Sequence, residues 1–333
     1  MLAAIYRRTG PAAEVLAIEE MPAPLPGPHE LRVKVSWSGV NPSDVKSRAG
    51  MRTKTLPFPA IIPHSDGAGV IDRVGEGVDR ARLGERVWLW NAAWGRASGT
   101  AAEHVVLPAA QAVALPDGIE LAAGACLGIP ALTAYHAVMV DGGVAGKSVL
   151  VAGGAGAVGH YAIQLAKLRG ARQVVATVSS EAKAALARAA GADLVVNYKT
   201  EDVVRKCLDF TGGAGVERII EVDLAANAAA DLAVLRPEAD IVVYGSGAAD
   251  MPIPFFPAIV KHARLRFFIV YNLNPGDRAR AIADLTHLLA TASLQHNIAA
   301  RLPLARIADA HELVERGRAV GNVVLEVGQA GGT

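Results

Sequence analysis

Val149-Leu-Val-Ala-Gly-Gly-Ala-Gly-Ala-Val-Gly159, continuing as His160-Tyr-Ala-Ile-Gln-Leu-Ala-Lys-Leu-Arg-Gly170, reads as strand, glycine turn and helix without a break. The β-branched run suits a buried parallel strand. Read at three-residue spacing, which is not the commoner G-x-G-x-x-G register, Gly153, Gly156 and Gly159 each have a physical role. Gly153 permits the tight turn, Gly156 lets the backbone approach a pyrophosphate, and Gly159 lets the helix pack close on the strand. The anion would rest on the first helical N–H groups, at Ala157 and Val158, where the macrodipole favours negative charge. An apolar stripe of Ala162, Leu165 and Leu168 ends at Gly170, and a second β-type run follows from Gln173 to Val178. A dinucleotide-binding βαβ unit is the reading; a purely structural βαβ turn is its alternative.

The rhythm differs on the two sides of this stretch. Before it, short strand-like runs at Leu31 to Ser36, Gly69 to Val74, Arg86 to Trp90 and Ala102 to Leu107 are punctuated by Gly and Pro, an all-β pattern. After Ile119 strands and Ala-rich helices alternate, with strand candidates at 149–152, 173–178, 194–197, 217–221, 240–244 and 266–270, enough for a doubly wound parallel sheet. Helices are expected over Asp277–Ala290 and Leu302–Arg318 and a last strand over Val323–Val327, so the C-terminal segment should return to the first domain. The fold class is therefore α/β, with residues 1–120 as a β domain, 121–270 as the nucleotide-binding domain and 271–333 completing the first.

Bulk properties narrow the function. The 333 residues suit two domains, and 52% hydrophobic against 20% charged residues leave no case for disorder. A net charge of +1 without a basic tail argues against nucleic acid as a partner. Cys126 and Cys207, the only cysteines, are too few for a disulfide framework or a thiolate zinc site and point to a reducing compartment. The start, Met1-Leu-Ala-Ala-Ile-Tyr-Arg7-Arg8, has its charge after the apolar residues, the reverse of a signal peptide, and no apolar run nears the ~20 residues that span a bilayer. A cytoplasmic protein without membrane partners is expected.

Several motifs in order carry a resemblance that spans essentially the whole chain: Gly39-Val-Asn-Pro-Ser-Asp44, Pro63-His-Ser-Asp-Gly-Ala-Gly69, Gly128-Ile-Pro-Ala-Leu-Thr-Ala-Tyr135, the glycine turn, Ala190-Gly-Ala-Asp-Leu-Val-Val-Asn-Tyr198, and Glu312 to Leu325. The chain resembles the zinc-independent medium-chain dehydrogenases/reductases of the quinone oxidoreductase, or zeta-crystallin-like, group. The resemblance implies a GroES-like β-barrel domain from both chain ends with an inserted Rossmann doubly wound parallel sheet. Where zinc-dependent relatives have a cysteine this chain has Asn41, and where they have a His-Glu pair it has Ser65-Asp66; the third ligand position falls near Ile129, and the four-cysteine structural lobe is missing. No metal is expected, because a zinc site needs at least three protein ligands. His64 is one residue out of register, a lone histidine either structural or exposed. Without a Lewis acid a conjugated acceptor such as a quinone is easier to reduce than an alcohol or simple aldehyde, since its own π system takes the charge.

The cofactor expectation rests on the second strand. An NAD site usually ends that strand with Asp or Glu on the ribose 2′-hydroxyl, whereas this one ends in Val178-Ser179-Ser180, with Lys183 in the first helical turn. Small hydroxyls and a cation suit a 2′-phosphate, so NADPH is expected. Against this, Ser180 is a natural N-cap, Lys183 can be an ordinary exposed residue, and Glu181 can be a displaced ribose acid. The resemblance adds Tyr198 beside the adenosine phosphate, Arg318 approaching the cofactor, and Thr133, Tyr244 and Ser246 lining it.

It also places Asn41 and Asp44 near the nicotinamide as the catalytic candidates. Asn41 would donate its amide to an acceptor oxygen or hold the cofactor, and Asp44 would orient it or relay a proton; alternatively Asn-Pro-Ser-Asp is only an Asx-type turn. Related enoyl-thioester reductases and some quinone reductases carry a tyrosine shortly after this turn, where this chain has Lys46, Met51 and Arg52. A quinone or similar conjugated carbonyl is the expected small-molecule substrate, with an enone, alkenal or enoyl-thioester as the enzymatic alternative and a non-catalytic NADPH-binding or redox-sensing protein as another class. The basic run Lys46, Arg48, Arg52, Lys54 reads as a solvated face or as an attraction for an anionic substrate, and Trp88, Trp90 and Trp94 as barrel core or an aromatic pocket. Phe267 to Tyr271 is expected to be an apolar edge strand that pairs two copies into a homodimer.

Overall fold

The β-branched runs of the second half pair side by side in a computed structural model that describes residues 1–328. They form a six-stranded, wholly parallel sheet in the order Leu194–Asn197, Gln173–Val178, Ser148–Val151, Val216–Glu221, Leu235–Val243, Arg264–Phe267. The strand order reverses at Ser148–Val151, whose neighbours are Gln173–Val178 on one side and Val216–Glu221 on the other. This is the switch point of a doubly wound sheet, where ligands bind beyond the strand ends. All four residues of the central strand are buried, which is why it reads as a continuous apolar run and not an alternation. Helices Ala157–Leu168, Glu181–Ala189, Val203–Phe210 and Leu224–Val234 make the crossovers. Arg218, fully buried, caps the Ala137 and Val140 carbonyls at 3.0 Å each and pairs with Asp240 at 3.2 Å, so its buried charge is compensated.

The sheet's last strand stops earlier than its apolar sequence suggests. Of the expected strand Phe267–Tyr271 only Phe267 is extended with the sheet; Val270–Asn272 is a 3-10 turn. Arg278 donates to the carbonyls of Val270 and Tyr271 at 2.7 and 3.0 Å and draws the chain out of the sheet, burying both residues. Arg264 and Arg266 on this strand pair with Asp240 and Asp141.

By backbone contacts the chain forms two units, Met1–Ile129 with the segment from Ile282 onward, and Pro130–Ala281. In the first, a seven-stranded mixed sheet runs Ile298–Pro303, Asn322–Glu326, Glu30–Val40, Asp66–Val74, Arg86–Leu89, Ala112–Ala114, with His104–Pro108 also on Glu30–Val40. The C-terminal strand is antiparallel to Glu30–Val40, with Val324 opposite Gly39. The helix expected over Leu302–Arg318 is shorter, Ile307–Glu315, because Leu302 and Pro303 belong to an edge strand parallel to Asn322–Glu326. A proline is tolerated at that edge because no ladder hydrogen bond is lost. Trp88 lies fully buried in the barrel and Trp94 is 40% exposed. Arg48 is not on a solvated face: it is fully buried, bound to Glu315 at 2.8 Å and to the Gly10 carbonyl. No helix among the described residues is long and apolar enough to cross a membrane.

Candidate functional site

At the switch point the glycine turn is tighter than a three-residue spacing requires. Gly153 has φ +68°, the left-handed conformation its tight turn needs. A Cβ on Gly159 would lie 2.3 Å from the Gly153 carbonyl oxygen, so the helix can approach the turn only with hydrogen at that position. Gly154, which the three-residue reading passes over, is equally confined: its Cβ would stand 2.8 Å from Ala176 Cβ and 2.9 Å from Ile163 Cδ1. Gly154, Gly156 and Gly159 together are in the G-x-G-x-x-G register, with Gly153 as an additional turn residue. Gly156 is the N-cap of Ala157–Leu168 and offers no side chain, so the first N–H groups, Ala157 and Val158 among them, are left for a ligand. Thr177, also missed from sequence, ties the turn to the second strand: its hydroxyl accepts from Gly153 N–H at 3.2 Å and its carbonyl from Gly154 N–H at 2.9 Å.

Two residues further on, the second strand delivers Ser179 and Ser180. Lys183 Nζ donates to Ser179 Oγ at 2.9 Å, while Ser180 caps the helix Glu181–Ala189 by accepting from Lys183 N–H at 3.4 Å. Capping and cation placement therefore coexist. Glu181 is turned to an ion pair with Arg188 at 2.6 Å, both ends more than half exposed. Tyr198 is exposed and follows the neighbouring strand, its N–H on the Val178 carbonyl at 3.0 Å, which sets it level with Ser179.

On the other side of the switch point, Val216–Glu221 ends in a turn that holds the loop after Leu235–Val243. Tyr244 N–H donates to the Glu221 carbonyl at 3.1 Å, and Gly247 N–H to Asp223 Oδ1 at 2.8 Å. Ser246 lies between them, its hydroxyl on the Ala248 carbonyl at 2.7 Å. Thr133 is buried on the helix Leu132–Met139. Arg318, in the other unit, is exposed in the turn beyond Ile307–Glu315, with its backbone N–H on the Leu313 carbonyl.

The first unit brings Asn41 and Asp44 together at the start of the helix Pro42–Arg48, where Asp44 reaches back to accept from Asn41 N–H at 2.9 Å. The turn-forming role and the buried carboxyl are thus one feature. Asn41 Nδ2 donates to Asp66 Oδ2 at 2.8 Å, which adds a second buried carboxyl to the pair. Burial pushes Asp44 up to about 7, against the Asn41 hydrogen bonds and the Arg52 charge, which lower it. Asp66 is pushed well above the carboxylate range by burial and by the neighbouring Asp44. A carboxyl that titrates near neutrality can both give and take a proton under working conditions.

His64 is neither exposed nor alone. It is fully buried in the left-handed region, φ +78°, a conformation unusual for a bulky residue, and sits in a chain of hydrogen bonds. Thr100 spends its hydroxyl proton on the Asp66 carbonyl, so it must accept from Ser38 Oγ at 2.8 Å; Ser38 in turn accepts from His64 Nδ1–H at 2.8 Å. His64 Nε2 is then the acceptor for His311 Nε2–H at 2.9 Å, and both imidazoles are neutral. Burial holds His64 well below the usual histidine value, and burial with the Arg48 charge brings His311 to about 3. The chain ends on a backbone carbonyl and cannot conduct a proton to Asp44; it fixes Asp66, which fixes Asn41. Sequence offered no signal for the His64–His311 pair, whose members are 247 residues apart.

Comparisons with known proteins fit this geometry. The family model described as "Alcohol dehydrogenase GroES-like domain" matches residues 27–117, and the one described as "Zinc-binding dehydrogenase" matches residues 157–287. The quinone oxidoreductase of Pongo abelii is 30% identical over 326 residues, 96% of each chain. Among solved structures, an NAD-dependent alcohol dehydrogenase superposes with a TM-score of 0.90 at 29% identity, covering 98% of this chain and 100% of the other. The Escherichia coli quinone oxidoreductase complexed with NADPH does so with a TM-score of 0.87 at 25% identity, covering 98% and 100%. With the barrel, the inserted parallel sheet and the glycine cradle in place, the chain belongs to the quinone oxidoreductase group of the medium-chain dehydrogenases/reductases.

Proposed function

We propose that this protein is an NADPH-dependent oxidoreductase that reduces a quinone or similar conjugated carbonyl without zinc. The observation that carries the cofactor choice is Lys183 Nζ on Ser179 Oγ, a cation and a hydroxyl standing where an NAD site has an acid. The glycine cradle, open where the pyrophosphate approaches, fits the same molecule. Bound there, NADPH supplies the hydride. Gly156, Ala157 and Val158 would hold its pyrophosphate, Ser179, Ser180 and Lys183 its 2′-phosphate, with Tyr198, Thr133, Tyr244 and Ser246 around it; Arg318 is a cofactor candidate by family resemblance alone.

Zinc does not suit the residues in its place. An amide, a hydroxyl and a carboxyl, at Asn41, Ser65 and Asp66, are poor competitors for thiolate and imidazole, and the Asn41 amide already donates to Asp66 Oδ2. The role left to this cluster is proton handling and orientation. Asn41 donates its amide to the developing oxyanion, and Asp44, in its acid form, holds a proton for an acceptor that cannot take one from water. Asp44 also favours a second reading, reduction of an enone, whose carbanion needs a proton that the missing tyrosine does not provide.

One experiment separates these readings: oxidation of NADPH and NADH with 1,4-benzoquinone and 9,10-phenanthrenequinone beside 2-hexenal and crotonyl-CoA, with and without chelator. Turnover of quinones by NADPH, unchanged by the chelator, is expected; loss of activity on chelation and its return with zinc would overturn the zinc-free mechanism. Asp44→Asn refines the test. The acid form of Asp44 declines above about 7, so enal reduction by the wild type should fall as pH rises through that value. The variant should lose this slope and roughly a hundredfold of enal rate. Quinone reduction, whose product takes protons from water, should change only a few-fold.

We further place the protein in the reducing cytoplasm, on the strength of two buried, unpaired cysteines, and as a homodimer. Arg264–Phe267 is paired on one side only, and Phe255, Phe256, Val260 and Phe267 are between 52% and 75% exposed on this strand and the helix leading into it. Sedimentation should give twice the chain mass, and Phe256→Glu with Phe267→Glu should give one; a monomeric wild type at micromolar concentration rules the dimer out.

A further inference from the structure

Beneath the loop 244–248 lie two carboxyl groups that the proposed chemistry does not use. Glu221, at the end of its strand, and Asp231, on the helix Leu224–Val234, are both buried, at 0% and 3% exposure. Glu221 Oε1 is occupied: it accepts from Asn227 Nδ2 at 3.0 Å and from Asp223 N–H. Glu221 Oε2 and Asp231 Oδ2 have no N–H or hydroxyl donor, and the two carboxyl groups lie within hydrogen-bonding reach of each other. Two buried carboxylates cannot share such a contact, whereas a carboxylic acid and a carboxylate can, through one proton.

We infer that Asp231 is a positioning residue of the cofactor site: it shares one proton with Glu221, and that proton holds the turn 221–223 in the shape that carries the loop 244–248. The inference rests on the reading that this loop receives NADPH. The linkage is short. Glu221 receives Asp223 N–H, Asp223 Oδ1 receives Gly247 N–H at 2.8 Å, and the Glu221 carbonyl receives Tyr244 N–H at 3.1 Å. The loop lies so close that a Cβ on Gly245 would stand 2.5 Å from the Val222 carbonyl oxygen. Removing the shared proton leaves two facing anions in an apolar surrounding, and the turn must open to let water reach them.

The groups that act on the pair are Asp223, which follows in the turn, and Tyr244, which opens the loop after the next strand; neither is a cation that would relieve the dianion. Burial, then the Glu221 charge, pushes Asp231 up to about 9. The shared proton is therefore present at neutral pH and lost as pH rises through that value.

The test is the dissociation constant of NADPH, read from fluorescence, for the wild type, Asp231→Asn and Asp231→Ala between pH 7.5 and 10.5. The wild type should weaken by up to about tenfold per pH unit above 9. Asp231→Asn, whose amide donates to Glu221 at every pH, should rescue binding and be flat to within about threefold over the same range. Asp231→Ala should bind roughly tenfold more weakly already at pH 7.5. Every other pH effect on the cofactor site is common to the wild type and Asp231→Asn, so the difference between those two curves isolates the carboxyl pair even if the alanine variant does not fold. An Asp231→Asn curve that coincides with the wild type overturns the inference and leaves the cofactor reading intact; a wild type that does not bind NADPH at pH 7.5 overturns both.

Discussion

Gly159→Ala should abolish useful NADPH binding and destabilise the protein, whereas Gly156→Ala, three residues away, should do only the first. The Cβ at 159 would meet backbone, the Gly153 carbonyl oxygen at 2.3 Å and the Gly154 Cα at 3.0 Å, and neither can rotate aside. The helix must shift, at a cost of about 1–3 kcal/mol of overpacking, and its N–H groups shift with it. At 156 the backbone is at φ −72°, open to any residue, and the nearest atom to a new Cβ is 3.2 Å away. The Gly153 carbonyl oxygen must give by only a few tenths of an ångström there, so folding suffers far less than at 159, but the anion's approach to the helix N-terminus is blocked. Losing about 3 kcal/mol of contact corresponds to roughly a hundredfold in affinity. Thermal melts and NADPH titrations on the two variants decide the matter: equal melting and binding losses at both positions would remove Gly156 from the cofactor site.

Lys183→Ala should convert a preference for NADPH into near indifference. Its ammonium is already placed by Ser179 Oγ at 2.9 Å, so little ordering entropy remains to be lost when a phosphate arrives. A charge-assisted hydrogen bond of about 1.5–3 kcal/mol predicts a ten- to hundredfold rise in the NADPH dissociation constant. NADH, which lacks the phosphate, should be unaffected, and salt should weaken NADPH binding to the wild type more than to the variant. If the variant loses affinity for both cofactors equally, Lys183 supports the helix and does not read the phosphate.

These two sites differ in how they can be read. Ser179, Ser180 and Lys183 lie within five consecutive residues, and the glycines within seven. A strand followed by glycines and a helix is a local pattern, whose meaning depends on backbone conformations that glycine alone allows. Even so, the confinement of Gly154 came from Ala176 and Ile163, which the sequence does not place beside it. The edge strand Ile298–Pro303 escaped for a related reason: its alternation is shallow, and what makes it a strand is Asn322–Glu326 beside it, so tertiary pairing overrides weak propensity.

The order of residues is enough to specify the alternation of strands and helices, the nucleotide turn, the absence of an acid after the second strand, and the family to which these belong. All follow from short-range sterics and from hydrophobic period. The tertiary structure alone decided which polar groups are buried together. Asn41 and Asp66 are 25 residues apart, and His64 and His311 are 247 apart. Hydrogen bonds across such separations form only once the apolar core has brought the segments together, and it is the loss of water there that turns Asp44 and Asp231 from ordinary carboxylates into groups that hold protons near or above neutrality.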